Sequence, residues 1–298
     1  MDVSIIIVNY NTISLLCDAI DSVLEKTADI SYEIIVVDNN SPDNSENIIQ
    51  QKYIDKVIYI KLNENIGFGR ANNEGIKYAK GRNIFLLNPD TVLINNAVKI
   101  LSKYLDQNAD VGVCGGNLYD ENNQPALSFV RTLPSVWQEI SCLLGSIPEK
   151  IAFGKNRTFN YTNTPMKVSA IIGADIMIRK SLLDKIGAFD TDFFMYHEEL
   201  ELCFRVKKSN SLIMSVPQAK IIHLEGKSLN SDMERERRKL IGKNLYFQKT
   251  HTKIYHKIVN LIFYCIGMSR LIIFGILGKK EQFKLWLFRI KYQLNSFR

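Results

Sequence analysis

Residues 86–91 read LLNPDT, and the reading of this stretch decides the fold. The apolar run NIFLLN at residues 83–88 is short and bounded by Gly81 upstream and Pro89 downstream, which suits a buried strand better than a helix. Asp90 then stands at the carboxyl end of that strand, and ligands bind at that edge of an open parallel α/β sheet. An Asp after a proline can also simply turn the chain and cap a helix starting near Asn95, so the rest of the sequence has to separate the two readings.

Outward from this stretch, strand-like and helix-like runs alternate through the first 116 residues. VSIIIV (residues 3–8) is followed by a helical pattern over residues 12–26, with Leu15, Leu16, Ala19, Ile20, Val23 and Leu24 at helical spacing. EIIVVD (residues 33–38) is the next strand, and SPDNSENIIQQKY opens a helix with Ser41 as its N-cap and Pro42 at its first position. VIYIKL, a glycine-bearing loop NENIGFGRANNEGI, a helix to about Lys80, the strand before Asn88, a helix over residues 95–107 and VGVCGG complete the series. This βαβαβ rhythm predicts a mostly parallel, doubly wound sheet with right-handed crossovers. Residues 117–165 lose the rhythm and carry Pro125, Pro134 and Pro148, which reads as an elaboration over the sheet edge. Regular patterns return with KVSAIIGADIMIRK, FDTDFFMYHEELELCFRVKK and SLIMSVPQAKIIH.

Composition excludes several classes. Five cysteines, odd in number and without C-x-x-C spacing, indicate neither a disulfide framework nor a thiolate zinc site, and fit a reducing compartment. The opening MDVSIIIVNYN carries an acid where a secretory signal needs positive charge, so a cytoplasmic protein is expected. The net charge of +7 is unevenly spread: residues 233–298 hold 15 Lys/Arg against 3 Asp/Glu, leaving the preceding body acidic. A uniformly basic nucleic-acid binder is not partitioned this way, and no nucleic-acid motif occurs. Gly67-Phe68-Gly69 has Asn72 where a dinucleotide fingerprint needs its third glycine, and no phosphate-binding P-loop occurs.

Two carboxylates, Asp38 and Asp90, end strands; if those strands are parallel neighbours, both lie on one ligand edge. A carboxylate there can accept from a ribose or base, or hold a divalent cation bridging phosphates. A denser acidic cluster, Glu198, Glu199 and Glu201, follows the aromatics Phe193, Phe194 and Tyr196. Acids in a first helical turn are ordinary, but beside aromatics they also suit a carboxylate whose pKa is lifted toward that of a general base. His223 ends the run AKIIH, as a structural hydrogen-bonder or as a metal ligand.

The ordered set SIIIVNYN, VVDNNSPDNS, NENIGFGRANNEGI, LLNPDT, GADIMIRK, FDTDFFMYHEELELCFR and HLEGKS resembles family 2 glycosyltransferases with the GT-A fold, most closely the rhamnosyltransferase-like branch that builds bacterial surface polysaccharides. The resemblance covers residues 1–245 and implies an α/β chain: a GT-A catalytic domain over residues 1–252, with a nucleotide-binding half (1–116) and an acceptor half (117–252). It assigns Asp38 to the nucleotide base, and Asn9, Asn11, Asn65, Gly67, Arg70, Asn73 and Asn88 to the nucleotide or donor sugar. Asn88 replaces the first acid of the family's D-x-D element, leaving Asp90, with His223, to hold Mg²⁺ or Mn²⁺. Glu199 falls at the catalytic base with Glu198 beside it. The implied reaction is inverting transfer of a sugar, rhamnose being one candidate, from a UDP- or dTDP-sugar to a lipid-linked glycan. A catalytically silent nucleotide-sugar binder or membrane scaffold of the same fold is the alternative, and a homodimer is compatible with the sequence. A nucleotidyltransferase is disfavoured because VNYNTISLL lacks a glycine-rich, basic first loop.

Residues 253–298 form a basic, apolar tail expected to give C-terminal amphipathic helices. IVNLIFYCIGMSRLIIFGIL is about as long as a membrane span, but Asn260, Ser269 and Arg270 interrupt it, and basic residues flank both ends. Shallow insertion into an anionic membrane surface at the inner face of the cell membrane is the favoured reading; a helical pair packed on the catalytic domain and a true span are the alternatives.

Overall fold

The computed structural model describes residues 1–224 and 232–295; of the stretch HLEGKS, residues 225–228 lie outside them. The first half builds the expected alternation: β1 (Val3–Asn9), α1 (Ile13–Lys26), β2 (Tyr32–Asp38), α2 (Ser45–Lys52), β3 (Val57–Lys61), α3 (Phe68–Tyr78), β4 (Asn83–Leu87), β5 (Thr91–Leu93), α4 (Ala97–Gln107) and β6 (Val111–Tyr119). The second half adds β7 (Phe129–Val130), α5 (Val136–Leu143), α6 (Ile147–Phe153), β8 (Met166–Lys167), β9 (Ala170–Ile171), β10 (Asp175–Arg179), α7 (Lys180–Ile186), α8 (Glu198–Lys208), β11 (Leu212–His223), α9 (Asp232–Thr250), α10 (Lys253–Ile276) and α11 (Lys280–Asn295).

The main sheet runs β3-β2-β1-β4-β10-β6-β11-β5, with β8 added alongside β11. Strands β3, β2, β1 and β4 are parallel, as are β6 and β11. All seven residues of β1 and all five of β4 are buried, because helices cover both faces of a parallel sheet and leave no wet side for alternation to show. One face packs on α1, α2 and α4, the other on α3, α7 and α8. β10 is inserted antiparallel between β4 and β6, and β5 and β8 add antiparallel to β11. The chain leaves the sheet after β6 and returns antiparallel through β10, and α5 of the intervening segment packs on α10. Ser41 does not cap a helix: α2 starts at Ser45, preceded by Asn44, and the Ser41 hydroxyl instead donates to Asp38 Oδ1 at 2.5 Å. Nor does Asp90 cap α4, whose N-cap is Asn96.

The tail is fastened to the body. Gln293 Nε2 donates to Asn244 Oδ1 at 2.6 Å and to Asn260 Oδ1 at 2.9 Å, joining α11, α9 and α10 through a buried polar network; such a network fixes one packing register. The Val136 N–H donates to the Tyr255 hydroxyl at 2.9 Å, and Arg289 pairs with Glu236 at 2.6 Å. Beneath them Phe193, Tyr246, Phe247 and Val259 form a small third core. Phe247→Ala is expected to lower global stability by about 3–5 kcal/mol, read by denaturant unfolding. If α9 were merely appended, the same substitution would leave the main transition unchanged.

Candidate active site

Parallel register builds the ligand edge. Asn9 pairs with Asp38 across β1 and β2, and Ile7 pairs with Leu87 across β1 and β4, so the turn Asn88–Pro89–Asp90 leaves the sheet level with Asn9. Asp38 is buried, accepting from Asn9 Nδ2 at 2.9 Å and from the Ser41 N–H at 3.2 Å. Asn9 is fully buried; its amide also reaches Ser41 and Ser45 at 3.0 Å and accepts from Thr12 at 2.8 Å. Every polar atom of Asn9 is thus engaged inside the protein, which makes it a group that orients Asp38. Asn11 is exposed, with positive φ, and its N–H donates to Ser41 Oγ at 2.9 Å.

Asn39 ties this edge to the next loop: its Oδ1 accepts from the Ile66 N–H at 2.9 Å and its Nδ2 donates to Asn65 at 3.0 Å. Gly67 has φ +91°, and a Cβ there would lie 2.3 Å from the Phe194 carbonyl oxygen, so only glycine allows the approach. The next residues hold the same distant segment. Arg70 Nε donates to the Thr191 carbonyl at 2.5 Å, and the Asn73 amide both donates to and accepts from the Phe189 backbone, at 2.8 and 3.0 Å. Both residues were expected at the donor; their observed partners are the backbone of residues 189–191, so they brace the loop carrying the acidic cluster.

That loop ends in two consecutive left-handed residues, Tyr196 and His197, with φ of 73° and 72°. Non-glycine residues hold such conformations only where their surroundings enforce them. Here α9 does so: a Cβ on Gly242 would stand 2.2 Å from the Tyr196 carbonyl oxygen. His197 is neutral, its pKa lowered to about 3 by burial and then by the nearby lysines 243 and 239. From this turn α8 starts with Glu198 and Glu199. Burial, and secondarily the Glu199 charge, pushes the Glu198 carboxyl well above the ordinary range, and burial raises Glu199 as well. Glu201 belongs elsewhere, in an ion pair with Arg205 at 2.8 Å, whose guanidinium also donates to the carbonyls of Ile186, Gly187 and Ala188.

The segment Gly173–Ala174 joins the two halves. The Asn88 N–H donates to the Ala174 carbonyl at 3.0 Å, while the Cβ position of Gly173 lies 4.0 Å from Glu199 Cγ and 3.8 Å from Phe68 Cε1. On the far side His223 Nε2 comes to 3.4 Å from Asp90 Oδ1, because Thr91 and His223 are paired across β5 and β11. Sequence positions 90 and 223 are therefore neighbours. Asn88 Oδ1 and Asp90 Oδ1 are buried without a hydrogen-bond partner. Two oxygens left in this way, beside the His223 imidazole, fit a divalent cation that takes its remaining ligands from phosphate and water; among the described residues no cluster of three His, Cys, Asp or Glu forms a complete protein site.

Four residues at this edge escaped the sequence reading: Asn39, Ser41, His197 and Asp175. Asp175 begins β10 fully buried and accepts from the Gly116 N–H at 2.5 Å, and burial pushes its carboxyl well above the ordinary range. An acid inside the apolar run ADIMIR was a visible signal; the others became legible only through their partners.

The raised pKa of Glu198 has a sign. Ionising it costs the folded state, so its contribution is favourable below the ordinary value of 4.5 and is lost as pH rises through the folded-state pKa. Glu198→Gln is expected to raise the melting temperature at pH 8 by roughly 2–4 °C and to leave it unchanged near pH 4. Thermal unfolding at both pH values checks this, and destabilisation at pH 8 would mean an ionised, partnered carboxylate.

Comparison with known proteins accords with this geometry. The Glycosyl transferase family 2 pattern matches residues 4–187. Relatives include a low-salt glycan biosynthesis hexosyltransferase of Haloferax volcanii, 26% identical over 74% of this chain and 67% of the relative. An uncharacterized glycosyltransferase of Rickettsia typhi is 32% identical over 70% of this chain, and the dTDP-rhamnosyl transferase RfbF of Shigella flexneri 26% over 65%; the match spans 60% of each of those two. Among solved structures, GalNAc-T7 with UDP, GalNAc and Mn²⁺ superposes with TM-score 0.63 at 15% identity, over 99% of this chain and 57% of that one. The Pyrobaculum calidifontis mannosyltransferase with GDP-Man and Mn²⁺ gives 0.60 at 15% identity, over 98% and 84%. These neighbours share the GT-A fold. With a family match over more than half its length, the chain belongs to glycosyltransferase family 2.

Proposed function

We propose that this protein is an inverting, divalent-metal-dependent glycosyltransferase that moves a sugar from a UDP- or dTDP-sugar to a hydroxyl of a lipid-linked glycan during assembly of a bacterial surface polysaccharide. The observation that carries it is the Gly173–Ala174 segment, backing Asn88 on one side and facing Glu199 on the other. Asn88, proposed at the donor's diphosphate, and Glu199, the candidate base, thus lie on opposite sides of one narrow strip. Relatives named for glycan assembly and rhamnosyl transfer support the substrate class.

Asp38, oriented by Asn9 and Ser41, accepts from the nucleoside. Asn88, Asp90 and His223 hold Mg²⁺ or Mn²⁺, which when bound offsets the negative charge of the donor's diphosphate. Glu199, raised by burial, takes the proton of the acceptor hydroxyl. The acceptor oxygen then bonds to the anomeric carbon from the face opposite the departing diphosphate, whose bond to that carbon breaks with its electron pair leaving on the nucleotide. One displacement inverts the centre and needs no enzyme nucleophile. Glu198 lies buried beside Gly69.

The membrane reading rests on helix α10. It is the one described helix long and apolar enough to cross a membrane. Its polar interruptions turn inward, Asn260 to Gln293 and Arg270 to the Cys142 carbonyl, while Ile254, Leu261, Ile272 and Ile276 are exposed. Trp137, Leu144, Ile147 and Ile151 of the α5–α6 region are exposed too, and α10 packs on α5. An apolar outer face over a polar inner one, flanked by lysines, suits shallow insertion at an anionic cytoplasmic leaflet.

Glu199→Gln should lose transfer by roughly 10²- to 10⁴-fold while still binding donor, whereas Asp90→Ala should lose Mn²⁺-dependent donor binding. Titration of nucleotide sugar with and without Mn²⁺, beside a transfer assay, separates the two, and an active Glu199→Gln would overturn the base assignment. Leu261→Gln with Ile272→Gln should greatly reduce sedimentation with anionic vesicles and leave donor binding intact. Undiminished sedimentation would remove α10 from the membrane contact.

A further inference from the structure

A cavity of about 530 Å³ lies between α5, α8, α9, α10 and α11. Its size is that of a small-molecule site. Phe263, Ile266 and Trp286 give it apolar walls, and Lys243, Arg270 and Arg289 give it cations. Two of these cations are already neutralised: Lys243 pairs with Glu139 at 2.5 Å and Arg289 with Glu236 at 2.6 Å. Arg270 is different. Among the described residues it has no carboxylate partner, and a single hydrogen bond, to the Cys142 carbonyl at 3.1 Å, engages its guanidinium. A cation in the middle of the most apolar helix of the chain is costly unless it meets an anion.

Two further features narrow that anion's chemistry. The cavity rim passes Gly145 and Ser146, directly between the exposed Leu143 and Leu144 and the exposed Ile147, so it borders the apolar outer face. Its inner wall includes His197 and Leu200, which flank Glu198 and Glu199 in the first turn of α8. A ligand bridging these ends carries a hydrocarbon chain, a negative group for Arg270, and whatever is attached beyond it toward the acids.

We infer that this cavity binds the phosphate-bearing end of a lipid, with Arg270 as the anchoring cation and Phe263, Ile266 and Trp286 against the first part of the chain. The inference rests on the membrane-bound, lipid-linked acceptor proposed above and gives that acceptor a site. The same chemistry is offered by an isoprenoid phosphate acceptor and by a bulk phospholipid.

The chain has two tryptophans, so the full-length Trp137→Phe protein reports on the cavity through Trp286 alone. Farnesyl phosphate, uncharged farnesol and dihexanoyl phosphatidic acid are titrated against its fluorescence. Farnesyl phosphate is expected to bind at least about tenfold more tightly than farnesol, and Arg270→Gln to remove that difference, as loss of a charge-assisted contact implies. Tighter binding of farnesyl phosphate than of phosphatidic acid assigns the site to the acceptor, and the reverse order to membrane phospholipid. Equal binding of farnesol and farnesyl phosphate, undiminished binding by Arg270→Gln, or an unresponsive Trp286 would overturn the inference. The first and last of these are read without altering Arg270, so they hold even if that variant fails to fold. Nucleotide-sugar binding, followed by thermal shift in the same variants, is expected to be unchanged; its absence in the parent protein would count against the glycosyltransferase reading and not against the cavity.

Discussion

Parallel pairing of β1 with both β2 and β4 is the constraint on which the ligand edge depends. β1 is buried along its whole length, so it must run through the centre of the sheet, and its last residue, Asn9, must find partners inside the protein. It finds Asp38, Ser41, Ser45 and Thr12. The same register that fixes Asp38 beside Asn9 brings the end of β4, and with it Asn88 and Asp90, level with them. An unpaired Asn9 would carry the cost of a buried amide and would release the Asp38 carboxylate from the Asn9 amide that orients it.

The second half of the site is held by strain. Two left-handed residues before α8 aim Glu198 and Glu199, with Gly242 of α9 packed against the Tyr196 carbonyl and Gly67 against the Phe194 carbonyl. Because α9 is in turn locked to α10 and α11 through Asn244, Gln293 and Asn260, the apolar tail and the candidate base share one rigid frame. The exposed apolar face of α10 and the left-handed turn before α8 are thereby linked through α9.

Burial does opposite things at the two ends of that frame. At the start of α8 it lifts two carboxylates that the helix N-terminus would otherwise stabilise as anions, which suits proton abstraction. In the tail it leaves Arg270, whose positive charge is permanent, beside an apolar cavity. One environment tunes a proton; the other selects a counter-ion.

The alternation of elements, the order of the motifs, Asp38 and Asp90 at strand ends, and the acidic turn of α8 were legible in the sequence, because continuous apolar runs between glycines and prolines report burial directly. The pairing of Asp90 with His223 came only through the family resemblance, not from the residues themselves: 133 positions separate them, and the antiparallel addition of β5 to β11 makes them neighbours. Nor could the sequence show that Arg70 and Asn73 are occupied by the backbone of residues 189–191, or that Ser41 serves Asp38 and not a helix, since a polar side chain looks the same whatever it bonds. The tail's composition announced an apolar, basic segment. Which of its faces turns inward was decided by packing, because Asn260 finds Gln293 of α11 and Arg270 finds the Cys142 carbonyl of α5.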